Sequence, residues 1–141
     1  MAKKSKRQGV RDVREETKKL LFAMYTEVNR VVPHLGTVNG RMLGMTEQFF
    51  NSAVNSLYTR GFISGVAIKI GDDDEHPASI STENVLLTRR GARFVEKQVG
   101  MSDALPKQEK LFRLKKKAAD MGWDELAVLI QKAIREFSEN V

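Results

Sequence analysis

Residues 43–66, LGMTEQFFNSAVNSLYTRGFISGV, contain a helix start, a helix stop and the beginning of a strand in unbroken succession. Thr46 has the side chain of an N-cap, and Glu47 would stand at the positive end of the helix dipole. Phe50, Ala53, Val54 and Leu57 recur at three- and four-residue steps, which predicts one buried stripe. Gly61 is the expected stop. The opposite face carries Gln48, Asn51, Ser52, Asn55, Ser56 and Thr59, polar and uncharged until Arg60. Phe49 adjoins that face. Packing on the preceding helix is expected for it; a thymine methyl or a protein contact are its alternatives.

A helix is expected upstream, from about Asp12 to Val32. Val13, Thr17, Leu20, Leu21, Met24, Val28 and Val31 form its apolar face, and Pro33 ends it. PHLGTVNG reads as a turn-rich link, and RMLG as a single turn at most. Downstream, FISGVAIKI and ENVLLT read as two strands of a hairpin. They are joined by a long polar loop, GDDDEHPASIST. TRRGARFVEKQVG is then a short helix with Ala92, Phe94 and Val95 inward and Gly100 as its stop. The last forty residues change character. Leu111, Leu114, Ala118 and Met121 form one stripe, and Leu126, Ile130, Ala133 and Phe137 form another. Gly122 separates them and Asp124 is the expected N-cap, so an antiparallel helical hairpin is predicted. Its stripes must pack on the domain or on a second copy.

The expected fold class is mainly α with a small β-hairpin, a winged helix-turn-helix followed by a C-terminal helical hairpin. Residues 1–10 would be a disordered basic arm, 11–100 the winged-helix domain, and 101–141 the hairpin, a candidate dimerisation element.

The chain has 141 residues, 41% of them hydrophobic, enough for a real core. It has no cysteine, which excludes disulfides, thiol catalysis and cysteine-ligated zinc. The N-terminus is too charged for a signal peptide, and no apolar run approaches a membrane span, so a cytoplasmic protein is expected. The net charge is +6. Residues 1–20 hold eight Lys/Arg against three acids, whereas residues 21–100 balance at eight of each. Half of those middle acids are Asp72–Glu75. Away from them a positive field is expected.

The acidic loop invites a metal or acid–base reading, and the residues argue against both. DDDEHPASISTE has adjacent acids and no central Gly, unlike an EF-hand loop. His76 has no second His near it in sequence. A hairpin tip offers no cleft to separate two carboxylates. With no nucleophile–base pair and no Gly-rich phosphate loop, neither an enzyme nor a metal or other cofactor is expected. Pro77 would stiffen a solvated turn.

The Gly-x-Thr-Glu start at Gly44–Glu47, the Gly-aromatic-Ile-x-Gly run at Gly61–Gly65 and the closing LTRRGARFVE resemble the YjcQ-type winged-helix family of Firmicutes and their phages, over about residues 12–100. The resemblance implies a small DNA-binding fold of mobile-element type, phage or plasmid, with no enzymatic activity. On that template helix 46–60 reads the major groove. Gln48, Asn51, Ser52 and Asn55 become base-reading candidates, because short amide and hydroxyl side chains donate and accept without charge repulsion. Thr59, Arg60 and Arg41 become phosphate partners, and Lys69, on the hairpin, becomes a fourth contact to the backbone. Lys3, Lys4, Lys6 and Arg7 form either a phosphate-contacting arm or a solubilising tail. A homodimer through residues 105–138 would place two copies on two half-sites. Four adjacent acids would repel DNA phosphates, so the wing either points away from DNA or meets a protein partner at Asp72–Glu75. The expected function is therefore sequence-specific duplex DNA binding in transcription regulation. The alternative is a protein-interaction module on the same scaffold.

Overall fold

The computed structural model describes residues 14–70 and 77–139. Five helices and a broken antiparallel ribbon share one hydrophobic core. None of these helices is long and apolar enough to cross a membrane.

Helix α1 (Glu15–Val28) lies at the centre. Glu15 and Glu16 occupy its positive end, and from Leu20 to Glu27 every residue is buried. A helix covered all round belongs in the middle of a bundle. The expected single stripe is therefore too narrow: Phe22, Ala23, Tyr25 and Thr26 are buried as well. The reason is that α2, α3 and the C-terminal hairpin approach α1 from different sides. The helix also ends earlier than Val32. Asn29 caps it, donating from Nδ2 to the Tyr25 carbonyl at 2.8 Å, and Val31 is exposed.

Two short 3-10 turns, Leu35–Thr37 and Arg41–Leu43, lead to α2 (Glu47–Thr59). Thr46 caps it as expected, its hydroxyl accepting from the Phe49 N–H at 3.2 Å. Phe50, Ala53, Val54 and Leu57 are its buried residues. Gly61 adopts φ 78° and turns the chain into the ribbon.

The ribbon departs from expectation. Strand β1 (Ile63–Ser64) pairs with β4 (Leu86–Leu87), and β2 (Ala67–Ile70) pairs with β3 (Pro77–Ser81), all antiparallel. PASIS is thus a strand instead of part of the loop, and ENVLLT contributes only Leu86–Leu87. Pro77 is tolerated because it opens its strand. The two halves are separated where Gly65 and Val66 face a longer turn at Thr82–Val85, closed by the Val85 N–H on the Thr82 carbonyl at 3.1 Å. Gly65 sits at φ 76°, and a Cβ there would lie 2.2 Å from the Asn84 carbonyl oxygen. Only glycine fits. Gly65→Ala is expected to cost about 1–3 kcal/mol, read as a lower urea midpoint. A midpoint unchanged from the parent would show that the ribbon is not broken here.

Helix α3 (Arg89–Val99) starts on a knot of contacts. The Thr88 hydroxyl accepts from the Gly91 N–H at 3.0 Å and donates to the Gly61 carbonyl at 2.7 Å. Gly91 lies against the Phe62 carbonyl, where a Cβ would come within 2.3 Å of the oxygen. Gly100 ends the helix in the left-handed conformation.

Helices α4 (Lys107–Asp120) and α5 (Asp124–Glu139) form the expected hairpin. Asp124, the expected cap, is instead the first residue of α5. Leu111, Leu114, Ala118, Leu126, Ile130 and Ala133 are buried in the same core as Leu20 and Met24. The hairpin's apolar stripes are thus packed within the chain. Trp123, in the link between α4 and α5, sets its ring edge-on to Phe22, with centroids 5.2 Å apart.

Candidate functional site

On α2 the 100° step per residue brings Gln48, Ser52, Asn55 and Thr59 into one line, opposite the buried stripe. Gln48, Ser52, Asn55 and Thr59 are exposed, and Asn51 is half-buried at the edge. Helical spacing places Asn51 and Tyr58 on one flank and Phe49 and Arg60 on the other. Phe49 does not pack on the preceding helix: it is 56% exposed, and Tyr58 is 44% exposed. The buried stripe is already filled by Phe50, and α1 meets α2 on that side. Tyr58 was not singled out in the sequence, although it lies three residues from Asn55 and so on the same side.

Hydrogen bonds limit what some of these residues can do. The Thr59 hydroxyl donates to the Asn55 carbonyl at 2.8 Å, so it would have to give up that bond to donate to a phosphate. Arg60 donates from Nε to the Ser56 hydroxyl at 3.3 Å. Arg41 is exposed on the second 3-10 turn. It shares with Asn39, Glu47, Asn51 and Ile80 a groove of about 580 Å³ between the start of α2 and β3. The groove brings Arg41 and Asn51 together. Lys69 lies on β2, but its side chain is outside the described residues, as are Lys3, Lys4, Lys6, Arg7 and the acidic loop Asp72–Glu75.

The charged groups that hold the scaffold lie elsewhere. Buried Tyr25 donates from its hydroxyl to Glu96 at 2.8 Å. Burial, and then that bond, hold its phenol well above the usual range, so Tyr25 stays a neutral donor. Arg30 donates to both Glu27 and Glu136, and the bond to Glu136 does most to raise its guanidinium further above its ordinary value. The exposed Glu125 carboxyl is held below its usual range by a hydrogen bond to its own backbone, then by Lys19 at 3.3 Å.

Comparison with protein-family models, with curated proteins and with solved structures finds no match. The fold defines a mainly helical protein with a short antiparallel ribbon directly after an uncharged polar helix face.

Proposed function

We propose that the chain is a winged helix-turn-helix protein that binds duplex DNA in a sequence-specific way, with α2 in the major groove. The observation that supports this reading is the outward face of α2. Gln48, Asn51, Ser52 and Asn55 present amide and hydroxyl groups of a size and polarity suited to base edges. Glu47 alone adds a negative charge, and it stands at the helix start. The outward faces of α4 and α5 carry Lys, Arg, Asp and Glu instead, as solvated helices usually do. Arg41 and Arg60 lie near the two ends of the face and suit phosphates. The role would be transcription regulation of a mobile-element type. A homodimer through residues 105–138 would use the outer side of the hairpin, where Phe112 and Val128 are exposed.

Selection from a random duplex pool tests the reading. A preferred site should emerge, and Asn51→Ala or Asn55→Ala should each cost about 1–3 kcal/mol on it while leaving unrelated duplexes little affected. Selection that returns no preferred site counts against base reading by α2. The second reading, a protein-interaction module, draws on the exposure of Phe49 and Tyr58. Under it, a protein partner would be lost on Phe49→Ser and kept on Asn55→Ala.

A further inference from the structure

Helix α3 separates its charges by face. Arg89, Arg93 and Lys97 follow one another at four-residue steps, and Arg90 lies beside them; all four are exposed. The helix has one carboxylate, Glu96, and it is turned inward, buried and bonded to the Tyr25 hydroxyl. Among the described residues, Arg89, Arg93 and Lys97 take part in no ion pair. Like charges four apart weaken a helix by a few tenths of a kcal/mol per pair, so the fold gains nothing from this arrangement. By contrast, α4 pairs Arg113 with Glu109 at 3.2 Å.

The face is also anchored to the end of α2. The Arg90 guanidinium lies over the Phe62 ring, 5.9 Å from its centroid, and the Arg90 Cδ is 3.8 Å from where a Gly61 Cβ would be. Its cations therefore begin beside the turn that follows the polar helix. From Arg89 to Lys97 the stripe runs about 12 Å along the helix axis. Each strand of B-DNA carries a phosphate about every 3.4 Å along the duplex axis, and the strand's own path between them is longer, so a stripe of this length can meet two or three.

We infer that the Arg89–Arg93–Lys97 face of α3 is a second DNA contact, a clamp on the phosphate backbone that reads no sequence. It rests on the proposed reading in taking duplex DNA as the partner. It supplies a backbone contact that the acidic Asp72–Glu75 segment is chemically unsuited to make.

The test is fluorescence anisotropy with a random-sequence duplex across a salt series. Arg89→Gln/Arg93→Gln/Lys97→Gln should reduce the slope of log affinity against log salt by about 2–3 and weaken binding at least about tenfold near 0.1 M salt. Lys116→Gln/Lys132→Gln/Arg135→Gln removes the same charge from the hairpin and should change the slope by less than about 1. Thermal melting by circular dichroism should show both triple variants folded, since the replaced side chains are exposed. An unchanged slope in the α3 variant, or an equal fall in the hairpin variant, overturns the clamp. If a preferred site is selected while the α3 slope is unchanged, base reading by α2 stands and the clamp falls. If no site is selected but the α3 slope falls alone, the clamp stands and base reading falls. Absence of any duplex binding overturns both.

Discussion

Trp123→Ala is expected to lower stability by about 3–5 kcal/mol. The residue is 5% exposed, in the link between α4 and α5. Its ring meets Phe22 at 87°, the edge-to-face arrangement that adds to simple burial. Phe22 belongs to α1, so this contact joins the hairpin to the centre of the core. Truncation would leave a cavity lined by Phe22 and its neighbours, and the backbone there is fixed on both sides. The Trp123 N–H donates to the Ala118 carbonyl at 2.9 Å, and its own carbonyl accepts from Ala127 at 2.9 Å. The measurement is urea unfolding followed by circular dichroism, because the substitution removes the chain's one tryptophan. A single transition at a much lower midpoint is expected, since one core spans α1 to α5. Two separate transitions, with the first confined to the loss of hairpin helicity, would show that residues 101–141 fold as an independent unit. Trp123→Phe should recover part of the loss, because a second ring can still meet Phe22.

The elements legible in the sequence are those whose signals are local. Thr46 caps α2 and Phe50, Ala53, Val54 and Leu57 are buried because capping and helical spacing are properties of neighbouring residues. Of the Gly-aromatic-Ile-x-Gly run, Gly61 and Phe62 meet Thr88 and Gly91, while Gly65 meets the turn opposite it. Gly61 receives the Thr88 hydroxyl, Phe62 lies under Gly91, and Gly65 faces Asn84. These motif residues therefore largely pack the ribbon between α2 and α3. Such residues speak for a fold more directly than for a function.

What was not legible depends on distant parts of the chain. Phe22 and Tyr25 fall off the expected stripe of α1; Trp123 of the hairpin link covers the one, and Glu96 of α3 meets the other. PASIS is short and polar, and it becomes a strand through its register with Ala67–Ile70. Glu96 sits in a run of basic residues and reads as part of a solvated face. Its burial against Tyr25, seventy-one residues away, leaves α3 with an exposed face of one sign. On α2, the polar line was legible from spacing, while the exposure of Phe49 depended on how closely α1 approaches.

Arg30→Met is expected to cost about 2–4 kcal/mol, the next largest effect. Arg30 follows the end of α1 and reaches α5. Its Nη1 donates to the Glu27 carboxylate at 3.0 and 3.1 Å, its Nε donates to Glu136 at 3.1 Å, and its Nη2 bonds the second Glu136 oxygen. The Glu27 side chain is only 5% exposed, against 29% for Arg30. The asymmetry decides the energetics. A surface pair of this kind would contribute little, because water replaces either partner. Here the loss of the cation leaves Glu27 buried with its charge uncompensated, and the methionine stem cannot donate a hydrogen bond to it. The expected loss lies somewhat under that of a fully buried pair because the guanidinium keeps partial contact with water. The rescue identifies the cause. Arg30→Met/Glu27→Gln removes the buried charge together with its partner and should recover at least half of the lost stability in urea unfolding. Equal losses in the single and double variants would place the cost in the Glu136 clasp between α1 and α5 instead. Glu136→Gln separates that possibility, since it weakens the clasp and leaves the Arg30–Glu27 pair in place. A small effect there, beside a large one in Arg30→Met, would assign the strain of the variant to the single carboxylate that the core encloses at the end of α1.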